Sequence, residues 1–251
     1  MSVFPMTIRV AKSRGRTLDR MKKELRSTRH FFRALIGRDL RLPVELDCQR
    51  IFLGNERAQW CICPQGLSRE SVVYSFGVGQ DISFDRELIQ RFGARVHAFD
   101  PTPRSIAWVK SQRLPARFVF HEFGVAEYDG TAIFRPPEHS SYVSYTVISR
   151  PGQPASSIEA PVYRVSTIMK MLGHERIHLL KMDIEGSEYA VIEDLLACGV
   201  AVDQLLVEFH HRWKELGTQQ TEKTVHNLHG AGYRIFDVSP AGEESSFLKI
   251  R

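Results

Sequence analysis

Three short stretches carry residue types that can do chemistry once a fold gathers them. The first is Ser75-Phe76-Gly77-Val78-Gly79-Gln80-Asp81, whose glycines allow a tight turn and close backbone approach to a ligand. If a helix starts there, its unpaired N–H groups add a cradle for polar atoms. Asp100 follows Gly77 by 23 residues, near the ~20-residue interval at which a carboxylate accepts ribose hydroxyls. The second stretch is Lys181-Met182-Asp183-Ile184-Glu185-Gly186-Ser187-Glu188, and the third is Glu208-Phe209-His210-His211. Carboxylates and imidazoles are the groups that orient a hydroxyl and take its proton near neutral pH. Asp183, Glu185 and His210 are therefore the candidate catalytic residues. Ser187 and Glu188 have a plainer reading, because hydroxyls and carboxylates are favoured at a helix start.

The elements that must position these residues show as strand–helix alternation. Ser71–Phe76 reads as a buried strand stopped by Gly77, and Ile82–Phe92 has helical spacing. Arg95–Phe99 is a second strand ending at Asp100-Pro101, Ser105–Gln112 a helix, and Arg117–Phe123 a third strand. Thr131–Phe134 and Val162–Val165 are strand-like and flank a polar loop at 135–160, in which Tyr142 and Tyr145 stand out. Loops of that length often bind or cover ligands. Ile177–Met182 and Gln204–Phe209 are strands around a helix at Ser187–Cys198, which places Asp183, Glu208 and His210 at strand ends. Alternation puts Glu208 and His210 on one side. A helix at Thr218–Ala231 precedes two closing strands, Tyr233–Val238 and Ser246–Ile250. The pattern predicts an α/β fold with a mostly parallel seven-stranded sheet, helices on both faces and an antiparallel C-terminal hairpin. No internal repeat is present.

The chain divides into a basic arm (1–41), a connecting segment (42–70) and the alternating domain (71–251). The arm holds 12 Lys/Arg against 3 Asp/Glu, a net of +9, while the whole chain is +5 and the rest therefore −4. Leu18, Met21, Leu25, Phe32 and Leu35 fall on one helical face, which is expected to pack on the domain. The charge leaves weak contact with an anionic surface as a second role. No apolar run approaches the ~18–20 residues of a membrane span, and no secretory signal is recognisable. Cys48, Cys61, Cys63 and Cys198 make neither a disulfide framework nor a zinc spacing, and suit a reducing cytoplasm.

A glycine turn of this type serves NAD or S-adenosylmethionine. The dinucleotide fingerprint wants Gly or Ala at the sixth position, where this chain has Ile82, and Asp81 at the helix start would repel a phosphate. The terminal hairpin also suits a methyltransferase better than a dehydrogenase. KMDIEGSEYAVIEDL is similar to the FkbM methyltransferase signature, in which a strand runs into Asp-x-Glu-Gly-x-Glu, and VVYSFGVGQDISFD, VHAFDPTP and QLLVEFHHRW resemble a bacterial branch of that family. The likeness extends over about residues 60–251. It implies a class I Rossmann-like fold, S-adenosylmethionine as cofactor and O-methylation of a sugar or other small-molecule hydroxyl. By the resemblance Gly77, Gly79 and Asp100 bind cofactor, with Phe76, Pro101 and Val125 completing that set and Asp183 and Glu185 near the transfer point. The family turn begins with Asp and ends with Gly, where this chain has Ser75 and Asp81.

The expected reaction is in-line attack of a hydroxyl on the sulfonium methyl, with Asp183 or His210 taking the proton and Glu185 orienting the acceptor. Asp183, Glu185 and Glu208 are of the kind that hold Mg²⁺. No octahedral set is complete, so no metal is expected. The rivals are an NAD-linked oxidoreductase and a catalytically silent protein that binds through its basic arm.

Overall fold

Near-continuous apolar runs become the strands of a sheet covered on both faces, as parallel sheets require. The computed structural model describes residues 10–55, 58–136, 145–148 and 157–250. A long helix, α1 (Val10–Leu35), precedes a hairpin of β1 (Ile51–Leu53) and β2 (Trp60–Ile62). Alternation then begins with β3 (Val72–Phe76), α2 (Ser83–Phe92), β4 (Arg95–Phe99), α3 (Pro103–Ser111) and β5 (Phe118–His121). Next, β6 (Gly124–Val125), β7 (Gly130–Phe134) and β8 (Ile158–Tyr163) form a small separate sheet, and α4 (Val165–Leu172) leads back. The chain continues through β9 (Ile177–Met182), α5 (Glu188–Ala197), β10 (Val202–Glu208) and α6 (Thr218–Gly230) to β11 (Tyr233–Val238) and β12 (Glu244–Lys249).

The main sheet has seven strands in the order β11-β12-β10-β9-β3-β4-β5. β10, β9, β3, β4 and β5 pair in parallel, and β12 runs antiparallel to both β10 and β11. The chain leaves β3 toward β5, then returns to β9 on the other side of β3. Open α/β sheets bind ligands at such a switch point, outside the carboxyl ends of the strands. The register sets Phe76 beside Met182, so Gly77 and Asp183 leave the sheet together.

Alternation along each strand divides the core. Tyr74, Leu180 and Leu205 face α4, α5 and α6, while Val73, Leu179 and Leu206 face α2, α3 and the β1–β2 hairpin. The hairpin is fastened by polar contacts as well. Gln204 receives the Cys63 N–H at 3.0 Å and donates to the Cys63 carbonyl at 2.7 Å. Segment 42–70 is thus partly a sheet-covering hairpin, in whose core Cys61 and Cys63 are buried.

Two expectations need correction. Val162–Val165 is not a separate strand: β8 starts at Ile158, within the expected loop, and Val165 opens α4. β-branched residues at 162 and 165 suit a strand, and tertiary packing of Val165 and Ile168 overrides that preference. The second concerns the arm. α1 forms, but Met21, Leu25, Phe32 and Leu35 are 60, 53, 56 and 70% exposed and do not pack on the domain. The Leu18 side chain lies outside the described residues. The arm is held by polar contacts instead: Asp39 meets His211 and Arg212 of the domain, and within the arm His30 Nε2 lies 2.6 Å from the Leu40 carbonyl and Arg33 lies 3.7 Å from Asp39. Tyr142 and most of 137–156 also lie outside the described residues. No described helix is long and apolar enough to cross a membrane.

Candidate active site

The glycine turn is built around Asp100. The N–H groups of Val78 and Gly79 donate to Asp100 Oδ2 at 3.1 and 3.0 Å. Asp100 Oδ1 accepts the Thr102 N–H at 2.9 Å and the Thr102 hydroxyl at 2.6 Å. A carboxylate has about four acceptor sites, and these bonds fill them. Asp100 thus shapes the turn, and it also lines the cleft. Gly77 takes φ of +80°, and a Cβ there would fall 1.7 Å from the Asp183 carbonyl oxygen. Only glycine fits. Its N–H donates to the Phe99 carbonyl at 3.1 Å, and Asp183 N–H donates to the Phe76 carbonyl at 3.1 Å.

Beneath the turn lies an aromatic layer. Phe76 stacks on Phe99 with centroids 4.6 Å apart, and Phe99 stacks on His121 at 4.7 Å. Behind it, His97, His121 and His174 gather around Tyr74: His97 Nδ1 is 3.0 Å from His121 Nε2, and the Tyr74 hydroxyl 2.8 Å from His174 Nδ1. Burial, reinforced by the charge that each ring would present to its neighbours, pushes His97 down to about 3 and lowers His121 as well.

Lys181 lines the cleft, and the sequence pattern assigned it no role. It sits inside a buried strand, donates to the Gly77 carbonyl at 2.9 Å and lies over the Trp60 ring. It also faces Asp85, whose carboxyl is raised by burial against the pull of Lys181. The available signal was a cation within the otherwise apolar run Ile177–Met182.

The second and third stretches meet through His210. Its Nε2 lies 3.3 Å from Glu185 Oε2 and 4.0 Å from Asp183 Oδ1, while Nδ1 lies 3.0 Å from Glu188 Oε1. Burial opposes charge on this imidazole, but Glu188 and Glu185 outweigh it and hold His210 well above its ordinary value. Burial raises Asp183, helped by Glu185 and opposed by Lys181, and burial with the Asp183 charge raises Glu208. Glu188 is more than a helix-start residue: wholly buried, it also accepts the N–H groups of Ile184 and Gly186 at 2.9 and 3.3 Å. Ser187, by contrast, makes no capping hydrogen bond. Glu185 is the one non-glycine residue with positive φ, 54°, among the described residues. That conformation costs roughly 1–2 kcal/mol in an L-residue. Asp183, Glu185 and His210 each offer a ligand atom, all within 4.8 Å of one another, and so could hold a metal ion.

The two histidines separate cleanly. His211 points away, with Nε2 2.6 Å from the buried Asp39, which also receives Arg212 Nε at 2.9 Å. Against the cost of burial, His211 and Arg212 keep the Asp39 carboxyl below its ordinary value. His211 is a tether for the arm.

One cleft of about 240 Å³, partly open to solvent, joins these parts. Phe76, Gly77, Gly79, Asp100, Pro101 and Val125 all line it, as do Asp183, Glu185 and Glu208. His210 stands behind the wall, 8% exposed. The described part of the expected cover, 145–148, lies over the acidic loop. Tyr145 lines the cleft, Thr146 donates to the Glu185 carbonyl at 2.7 Å, and Ile148 lies so close to Gly186 that a Cβ there would be 2.4 Å away.

Known proteins resemble this chain over the same region. The family model described as Methyltransferase FkbM domain matches residues 67–235, more than half of the chain. "Probable methyltransferase-like protein 24" of Rattus norvegicus is 26% identical over 179 residues, covering 66% of this chain and 42% of its own length. The Homo sapiens protein of that name is 24% identical over 176 residues with the same coverage. The chain thus spans less than half of these relatives. Among solved structures, Aeropyrum pernix fibrillarin with bound S-adenosyl-L-methionine gives a TM-score of 0.40 at 9% identity, over 73% of this chain and 67% of that one. A SAM-dependent methyltransferase from Anabaena variabilis gives 0.38 at 8%, over 74% and 79%.

Proposed function

The chain belongs to the FkbM methyltransferase family, and on that premise we propose that it moves a methyl group from S-adenosylmethionine to a hydroxyl of a small molecule, a sugar being the expected class. One observation carries the reading: the glycine turn and the Asp183–Glu185 pair line one cleft at the switch point of the sheet. The residues there fit the cofactor. Phe99, Pro101 and Val125 offer apolar walls, and Gly77 leaves a backbone-lined floor that any side chain would fill.

When bound, S-adenosylmethionine supplies an electrophilic methyl on a sulfonium centre, and transfer leaves the C–S electron pair on sulfur. The chain's own residues supply position and a place for the proton. Phe76, Gly77 and Gly79 hold the donor, while Glu185 orients the acceptor hydroxyl. Alignment of the two reactants is the largest contribution of such a site. Asp183 takes the hydroxyl proton as the new C–O bond forms. Its side chain is a third exposed to the cleft and its nearest cation is 4.0 Å away. His210 is a poorer base, because carboxylates face both of its nitrogens. It steadies Asp183 and Glu185 instead. Four cysteines without disulfides fit a cytoplasmic setting.

The test is incubation with methyl-labelled S-adenosylmethionine and extracted small molecules, followed by identification of the labelled product. The expected result is a base-stable methyl ether. Asp183→Asn should fold, bind cofactor and lose at least about a hundredfold in turnover. Full turnover by that variant, or no labelled product from wild type that binds cofactor, would remove the reading.

A further inference from the structure

We propose that Asp183, Glu185 and His210 form a divalent-cation site opening into the cleft, suited to Mn²⁺ or Mg²⁺, that draws in an acceptor through two neighbouring oxygens. The sequence alone gave no complete ligand set, and considered Glu208 in place of His210. The fold brings His210 to the two carboxylates.

The spacing is that of ligands around one ion. With metal–ligand bonds near 2.1 Å, cis ligands stand ~3.0 Å apart and trans ligands ~4.2 Å. The observed separations from His210 Nε2 are 3.3 Å to Glu185 and 4.0 Å to Asp183. A carboxylate also stands behind the ring, as one does behind metal-binding imidazoles. It is Glu188, wholly buried, with Oε1 3.0 Å from Nδ1 as an ion-pair contact and not an aligned hydrogen bond, and a bound ion would displace the proton from Nε2. Backbone N–H groups of Ile184 and Gly186 hold Glu188 in turn.

Exposure gives the site a direction. His210 is 9% exposed at its side chain, Glu185 20% and Asp183 33%, so the open side faces the cleft. Charge favours a cation: Asp183, Glu185 and Glu188 surround the single imidazole and outnumber the Lys181 ammonium that lines the same cleft. Two carboxylates with one imidazole suit Mn²⁺ somewhat better than Mg²⁺, which prefers oxygen alone. Three protein ligands leave three octahedral positions, two of which an acceptor with adjacent oxygens can fill. With S-adenosylmethionine bound, the hydroxyl proton would pass to the second oxygen of Asp183 while the hydroxyl oxygen bonds to the methyl carbon and the C–S bond breaks, its electron pair staying on sulfur. The catalytic role rests on the methyl-transfer reading above; ion binding does not.

The experiment is titration of the chelator-treated protein with MnCl₂ by calorimetry, Mn²⁺ electron paramagnetic resonance and NMR of the histidine imidazoles, without cofactor. The expected result is one ion per chain and selective paramagnetic broadening of the His210 imidazole resonances. His210→Ala should abolish this binding, and Glu188→Gln, which keeps the shape, should weaken it 10–100-fold. Circular dichroism identifies any variant that fails to fold. No stoichiometric binding by folded wild type, or binding that both folded variants retain at full strength, overturns the proposal. Cofactor binding is measured separately: Mn²⁺ binding without it would sink the methyl-transfer reading and leave the ion site standing.

Discussion

Gly77 and Asp183 are 106 residues apart in sequence, yet the Gly77 Cα rests against the Asp183 carbonyl so closely that no side chain fits between them. The glycine-turn half and the acidic half of the cleft share this contact.

Gly77→Ala should therefore damage both halves at once. The new Cβ would meet backbone 1.7 Å away at a φ of +80°, and neither can be relieved by a rotamer change. The expected cost is about 2–4 kcal/mol in urea denaturation, with at least tenfold weaker S-adenosylmethionine binding by calorimetry. Near-wild-type values for both would mean the contact is looser than described.

Asp100→Asn tests whether this carboxylate shapes the turn. One oxygen becomes an NH₂ and must face either the Val78 and Gly79 N–H groups or Thr102. Each donor left without a partner costs about 1–3 kcal/mol. A lower melting temperature of the cofactor-free protein is expected. Loss of cofactor affinity with no change in melting would favour direct contact with ribose instead.

Acid should weaken the fold through the histidine cluster. His97 is pushed down to about 3, and His121 and His174 are lowered too, so the folded state favours their neutral forms. The unfolded chain binds protons near 6.5, and the folded chain does so only at lower pH. Stability is thus complete above about 6.5 and falls as pH drops toward the folded values, by about 1.4 kcal/mol per unit for each histidine in that window. Urea midpoints at pH 7.5 and 5.0 check this, and His97→Phe should flatten the difference. The raised carboxyls of Asp183 and Glu208 and the raised His210 pull the other way over this window. The cluster's share is therefore the difference between wild type and His97→Phe, and identical pH profiles for the two would refute it.

Asp39→Ala should loosen the arm without touching the chemistry. Removing this buried carboxylate leaves His211 Nε2 without its partner and Arg212 with only Glu243 and the Ala241 carbonyl, at a cost of about 1–3 kcal/mol. Faster proteolysis within α1, with methyl transfer retained by the folded fraction, is the expected pair of results. An unchanged cleavage rate would show that the arm is held elsewhere.

The parts legible in the sequence were those written in local pattern. β3, β4, β9 and β11 are apolar runs bounded by glycine or charge, and Asp183, Glu208 and His210 announced themselves at strand ends. The β1–β2 hairpin was not legible, because three residues per strand carry no period. α4 was hidden by its β-branched start. Exposure of the α1 stripe could not be read either, since periodicity says which residues share a face but not whether anything covers it. Within the site, the pairing of Glu188 with His210 joins two elements across 22 residues, beyond any local spacing rule. Alternation set His210 beside Glu208, but the role of His211 follows from Asp39, 172 residues away in the chain.

The switch point also has a kinetic consequence. β3 and β9 are neighbours in the sheet but lie about a hundred residues apart along the chain, with the small sheet and α4 between them. Closing so long a loop is slow, and contacts of that range form late in folding. Neither half of the cleft can be complete in an intermediate that has built only β3 to β5. Ligand capture in a stopped-flow refolding trace would therefore mark the last step of assembly, a reporter of the finished fold built into the protein itself.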